Sequence, residues 1–299
     1  MRLLILGSKG FIGSHCYSLF KNNKQFEVFG ADVVADYNDP DYTIIDASNA
    51  DFKVLFATNK FDYCINCSGA SSVPDSFFNP SRDYLLNVHH VVLLLNAIKE
   101  LNPTCRFIQL SSAAVYGNPQ VLPIKEEHQL APISPYGFHK KQTEEICMMY
   151  NKLFDITTSV IRIFSAYGNG LKKQLFWDLY LKSKEVSGIQ LFGTGNETRS
   201  FIHVMDIVNA IQAILNHPNK GFQVFNVAAL SSLSIAEASQ VFLAKLGYEG
   251  AIKFNGLVRA GDPLYWQADI TKLVSLGYTQ TISFDEGASN YAKWLSEKE

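Results

Sequence analysis

The chain has 299 residues, 47% of them hydrophobic and 18% charged, which suits one large domain or two lobes and excludes a disordered chain. With 26 basic against 28 acidic residues, the formal charge of -2 gives no basic field for nucleic acid or an anionic membrane surface. The longest aliphatic run, Val91 to Leu95, is far short of the ~20 residues that span a bilayer, and five cysteines suit a reducing cytoplasm better than a disulfide framework.

In chain order, Leu3 to Leu6 is an apolar run that ends at Gly7, and a helical pattern follows from Phe11 to Lys21. Further strands are predicted at Glu27 to Ala31, Tyr42 to Ile45, Tyr63 to Asn66, Arg106 to Leu110, Thr157 to Phe164 and Phe222 to Val227. Helices are predicted over Arg82 to Leu101 and Pro135 to Phe154, and over Ile207 to Leu215 with Asp206 as its N-cap. Near-continuous apolar strands alternating with helices predict a parallel sheet covered on both faces. Right-handed crossovers make it an α/β, doubly wound Rossmann sheet with a smaller α+β substrate-binding lobe. The expected division is 1–167 plus about 201–229 for the sheet, and 168–200 plus 230–299 for the lobe. Cys64 and Cys67 spell C-x-x-C, but three residues apart on a strand they point to opposite faces, so inert thiols are expected. His89 and His90 have no carboxylate partner at ligand spacing, and no metal site is expected.

Gly7, Gly10 and Gly13 form G-x-x-G-x-x-G directly after a strand and opening a helix. Such a turn lets a pyrophosphate approach the backbone, with N–H groups around Phe11 and Ile12 at the helix N-terminus facing it. Asp32 ends the second strand, where a carboxylate accepts from an adenosine ribose and repels a 2′-phosphate. That favours NAD over NADP.

Tyr136 and Lys140 stand four apart on one helix face. Tyr17/Lys21 and Tyr180/Lys184 share the spacing, so position has to discriminate. Only Tyr136 follows a core strand that delivers hydroxyls, Ser111 and Ser112, to the C-terminal sheet edge where ligands bind. A lysine ammonium ~5 Å from a phenol stabilises the phenolate by roughly 3 kcal/mol at an effective dielectric of ~20. That is about two pKa units below the usual ~10, with an oxidised nicotinamide adding further positive charge. Tyr136 is thus the expected base for a substrate hydroxyl, with Ser112 bonding the same oxygen.

These motifs resemble the extended short-chain dehydrogenase/reductases that act on nucleotide sugars, above all UDP-hexose 4-epimerases. The likeness runs through Ser111 to Gly117, Ser134 to Gly137 with Lys140, Arg162-Ile163-Phe164, Gly193 to Gly195 with Arg199 and Asp206, Phe225 to Val227, and Arg259 to Asp262. It implies that Tyr136, Lys140 and Ser112 are catalytic and that Lys140 also binds the nicotinamide ribose. It places Asp46 beside the adenine and Asn87 near the cofactor and active site. Arg199 and Arg259 are implied to grip the substrate diphosphate, and Asp262 to contact its nucleoside.

Where dehydratases and decarboxylases of this family carry an acid, this chain has Ala113 and Ala114, and the usual asparagine after the Arg-x-Phe strand is Ser165, expected at the substrate pyrophosphate. The leading expectation is NAD-dependent C4 epimerisation of a nucleotide sugar. The alternatives are an NAD(P)H-dependent 4-keto nucleotide-sugar reductase, a dehydratase, or a non-catalytic NAD-sensing protein. Surface-polysaccharide biosynthesis is the expected setting. The helices 82–101 and 135–154 are those with which such enzymes commonly pair, so a homodimer is also expected.

Overall fold

The computed structural model describes residues 1–46, 49–185, 188–217 and 220–297. The chain runs β1 (Arg2–Leu6), α1 (Phe11–Lys21), β2 (Glu27–Asp32), β3 (Tyr42–Ile44), α2 (Lys53–Ala57), β4 (Tyr63–Asn66), α3 (Val73–Phe78) and α4 (Pro80–Tyr84). A π-helical turn (Leu85–His89) then leads to α5 (His90–Leu101), β5 (Arg106–Ser112), a 3₁₀ turn (Ala113–Val115), α6 (Pro135–Phe154) and β6 (Thr158–Ile163). Next come β7 (Ala166–Tyr167), α7 (Gln174–Ser183), β8 (Ile189–Leu191), β9 (Thr198–Arg199), β10 (Ile202–His203), α8 (Val204–Asn216) and β11 (Phe222–Val227). The chain closes with β12 (Leu233–Ser234), α9 (Ile235–Lys245), β13 (Ile252–Phe254), α10 (Thr271–Val274) and α11 (Phe284–Ser296).

Seven strands form one parallel sheet in the order β11-β6-β5-β4-β1-β2-β3. The fold is therefore the doubly wound α/β class read from the sequence. Alternate residues of β1 explain the two covered faces. Leu3 and Ile5 join Phe20 of α1 and Ile211 of α8 in one apolar cluster, while Leu4 and Leu6 join Leu55 of α2, Leu94 of α5 and Cys147 of α6 in another. Each such side chain contributes about 1.5–3 kcal/mol when fully buried. A third cluster lies outside the sheet and is rich in aromatics, with Tyr167, Phe176, Phe201, Phe242 and Tyr291 drawn from α7, α9, α11 and the short ribbons between them.

Three expectations need correction or refinement. The helix expected from Arg82 to Leu101 starts earlier and is interrupted. Asn79 caps α4 by accepting from Arg82 N at 3.0 Å, and the π-turn inserts between α4 and α5. Asp206 is not the N-cap of α8. That helix begins two residues earlier, its cap is His203, and Asp206 is fully buried in the first turn, accepting from Thr281 N, Thr281 Oγ1 and Ile282 N. The strand Arg106 to Leu110 runs on to Ser112. Cys64 and Cys67 do pack into opposite clusters.

Candidate active site

β1 ends in a turn that only glycines allow. Gly7 has φ +79°, and a Cβ on Gly13 would come within 2.0 Å of the Gly7 carbonyl oxygen. Gly10 precedes α1 with no side-chain cap, so the N–H groups of its first turn face outward without an internal acceptor. The neighbouring strands β2 and β3 carry the two acids to the same edge. Asp32 closes β2, its carboxylate accepting from Lys9 N at 2.9 Å and Val33 N at 2.7 Å. Asp46 is exposed just past β3 and accepts from Asn49 N.

Four strands along, β5 ends in two serines that both border a cavity of about 750 Å³: Ser111 Oγ donates to buried Glu144 at 2.6 Å, and Ser112 caps the following 3₁₀ turn. α6 is brought against that turn by its own start signals: Ser134 accepts from Gly137 N, Pro135 fills the first turn, and a Cβ on Gly137 would lie 2.6 Å from the Ala114 carbonyl oxygen. Tyr136 and Lys140 consequently enter the same cavity as Ser112. The Lys140 ammonium lies 5.7 Å from the Tyr136 ring centre and donates to Leu110 O at 3.1 Å. The other two Tyr–Lys pairs lie outside this cavity. Lys21 pairs with Asp39 as well as Tyr17, and Lys184 donates to Tyr180.

Electrostatics reverse one expectation. Burial pushes the Tyr136 phenol up to about 12, opposed by its hydrogen bond with Ser112 and reinforced by the Asp83 charge. It is not lowered by two units. The same burial brings the Lys140 ammonium down to about 8, against the pull of Asp83 and Glu144. Desolvation penalises both charged forms, and one lysine at this distance does not overcome it.

The cavity also takes in Phe11, Ile12, Ser165, Arg199, Arg259 and Asp262. Arg199 lies against the Trp266 indole, 5.6 Å from the ring centre, and donates to the carbonyls of Thr198, Leu264 and Pro263. Arg259 and Asp262 are more exposed and pair with each other at 3.4 Å, with the guanidinium 4.7 Å from the Phe192 ring centre. Gly7, Gly10, Gly13, Asp32 and Asp46 stand at the sheet edge rather than in the cavity wall. Asn87 is buried in the π-turn, and a Cβ on the cavity residue Gly69 would reach its Oδ1 at 2.6 Å. Sequence reasoning missed Asp83, His139 and Glu144. The last was legible in principle, since 136, 140 and 144 share one helix face. It also missed Lys173, whose Nζ donates to Ser71 Oγ at 2.5 Å in the cavity wall and for which no local pattern gives a signal.

The sequence model of the NAD dependent epimerase/dehydratase family matches residues 3–228. The chain belongs to that family. A protein of Methanocaldococcus jannaschii provisionally named a UDP-glucose 4-epimerase is 27% identical over 305 residues, spanning 98% of each chain. UDP-glucuronate 4-epimerase 4 of Arabidopsis thaliana is 24% identical over 326 residues, 98% of this chain and 74% of the plant protein. The crystal structure of UDP-glucuronic acid 4-epimerase from Bacillus cereus, in complex with UDP-glucuronic acid and NAD, superposes with a TM-score of 0.88 at 25% identity over all of both chains.

NAD is the family's cofactor, and this chain fits it. The glycine turn is a cradle that a Cβ would fill, and the Asn87 amide, 1% exposed, has no partner for either polar atom among the described residues. A buried amide left unpaired costs ~1–3 kcal/mol, so a ligand that satisfies it gains that much.

Proposed function

We propose that the protein is an NAD-dependent C4 epimerase of a UDP-sugar. The observation that carries this reading is the meeting of Ser112, Tyr136 and Lys140 in one cavity beside the glycine turn, with Ala114 in the cavity wall and Ala113 buried next to it where a second acid would stand. Loss of water needs a further proton carrier. Reversible oxidation does not.

In this reading each residue has a role. Gly7, Gly10, Phe11, Ile12 and Gly13 hold the pyrophosphate of NAD, Asp32 its adenosine ribose, Asp46 the adenine side, and Asn87 and Lys140 the nicotinamide half. Bound NAD supplies a hydride acceptor and donor and a positive charge beside the phenol. Ser112 orients the C4 hydroxyl, and Tyr136 takes its proton as hydride leaves the same carbon. Lys140 holds positive charge next to the phenolate that forms. The keto sugar then presents its other face, hydride returns, and Tyr136 gives the proton back. No net redox change occurs. Arg199 and Arg259 grip the UDP diphosphate with Ser165 beside it, and Asp262 meets the nucleoside.

A nucleotide-binding unit of 1–167 plus 201–229 and a sugar-binding lobe of 168–200 plus 230–299 are supported by the separate aromatic cluster around Phe176. A homodimer is supported by exposed apolar residues on the helix pair that follows Pro80 and Pro135, among them Tyr84, Phe138 and Met149. Five free thiols support a cytoplasmic setting, and provision of sugars for surface polysaccharide is the family-based role.

The test is to assay the purified protein with UDP-glucose, UDP-galactose and UDP-glucuronate without added cofactor. Interconversion of a C4 pair, with NAD released on denaturation and turnover lowered by orders of magnitude in Tyr136→Phe, is the expected result. Stoichiometric consumption of added NADH by a 4-keto sugar nucleotide would replace the epimerase with a reductase.

A further inference from the structure

Between α4 and α6 lies a carboxylate–imidazole pair that the reaction scheme does not use. Asp83, on α4, is 3% exposed and meets His139 of α6 at 2.6 Å between Oδ1 and Nδ1. Its second oxygen, Oδ2, is buried with no hydrogen-bond partner among the described residues. The imidazole is 13% exposed and has its edge against the Tyr84 ring, so it reaches the surface where the carboxylate does not.

The elements packed on α4 are α3, the π-turn and α6. Beside Arg82 and Tyr84 on α4 itself, their ionisable groups are Asp75 on α3, His89 on the π-turn, and Tyr136, His139, Lys140, Lys141, Glu144, Glu145, Cys147, Tyr150 and Lys152 on α6. Asp83 acts electrostatically on both Tyr136 and Lys140, favouring the neutral phenol and the charged ammonium. Glu144 also favours the ammonium, but Arg162 already neutralises it at 2.7 Å, both side chains being buried, and Ser111 bonds it too. Asp83 has no such cation. An imidazole is its one side-chain partner among the described residues.

We propose that Asp83 and His139 are a positioning pair for the reaction: a buried carboxylate, anchored by an imidazole that reaches the surface, sets the field in which Tyr136 and Lys140 change protonation. This rests on the reading of Tyr136 as the base. The carboxylate has two opposed effects. It keeps Lys140 charged in a pocket that would otherwise strip its proton, and it holds the phenol protonated until the positive cofactor is in place. Its place on α4, one turn before Asn87 in the adjoining π-turn, ties this charge to the segment assigned to the cofactor.

The experiment is a titration of NAD-loaded protein by tyrosinate difference absorbance, with the Tyr136→Phe signal subtracted to isolate one phenol. Asp83→Asn keeps the shape and a bond to His139 but removes the charge. Its Tyr136 midpoint is expected to fall by roughly half to one unit, less than the 1–3 units of a charge in direct contact. Both limbs of the turnover–pH profile are expected to move to lower pH, because phenolate and neutral lysine both become easier to reach. Asp83→Glu retains the charge and is expected to keep the wild-type midpoint. If the amide variant does not fold, Asp83→Ser carries the same reading. A midpoint and limbs that stay in place while turnover merely drops would overturn the pair's role and leave Tyr136 as base. Normal turnover in Tyr136→Phe would overturn the base instead, whatever the Asp83 titration shows.

Discussion

Lys140 illustrates how a functional side chain works against the fold that holds it. Its ammonium sits at about 8 in the folded protein against 10.5 when exposed, with burial the main cause. The unfolded chain therefore binds more protons between those values, and stability rises with pH across that window. Below pH 8 the full penalty stands, on the order of 3 kcal/mol. Tyr136 acts in the other direction. Its neutral form is favoured by burial, so the stability it contributes is complete below about 10 and is lost as pH rises toward 12. Lys140→Met removes a buried charge and retains the stem's packing. It is expected to raise the melting temperature at neutral pH by a few degrees while abolishing turnover, and the gain should vanish on titration past the lysine's ordinary range. Thermal scans of both proteins across that range check it. A variant less stable than wild type at neutral pH would mean that the bond from Lys140 to Leu110 O outweighs the desolvation.

At the scale of elements, what could be read in advance was set by local chemistry. The boundaries of α1, β4, α6 and β11 match those expected, because each carries a stop or start signal of its own: glycines around α1, and Ser134-Pro135 before α6. The π-turn inside 82–101 was not legible, since an unbroken apolar pattern fits a regular helix as well. α8 misled for a related reason. Asp206 has the right side chain for a cap, yet the preceding Val204 and Met205 are already helical and the carboxylate is taken up by a segment 75 residues away. Sequence gives no sign of so distant a partner. That contact has a measurable consequence. Three bonds from Thr281 and Ile282 converge on a fully buried carboxylate at a helix N-terminus, and they pin the chain leading into α11 onto α8. Asp206→Ala should cost on the order of 3 kcal/mol, read as a fall in the urea midpoint with an unchanged slope. A loss within ~0.5 kcal/mol would show that water replaces the carboxylate freely.

For the molecule as a whole, the sheet was legible because apolar strands that mostly alternate with helices admit few arrangements, while the site was legible only where a motif met the sheet edge. Tyr136, Lys140 and Ser112 could be chosen by that rule. Asp83 and His139, 56 residues apart, become neighbours only through the packing of α4 on α6. The same two helices present the outer face on which the association of two copies is proposed. A shallow groove there runs between Tyr84, Val88, Ile146 and Met149, and Tyr84, Leu85, Phe138 and Met149 are each at least 39% exposed. Such a concentration of large apolar groups on adjacent helices is costly in water at ~25 cal/mol per Å² and is covered when two copies pair through a self-complementary patch. Phe138→Glu combined with Met149→Glu puts like charges on both sides of that contact without touching the apolar clusters of the sheet. Sedimentation equilibrium is expected to give a dimer for the wild type and a monomer for the double variant, with far-UV circular dichroism unchanged. Because His139 packs edge-to-face with Tyr84 at the margin of this face, the monomer should also lose part of its turnover. A double variant that remains dimeric would move the contact to another surface, and a wild type that sediments as a monomer at micromolar concentration would remove it.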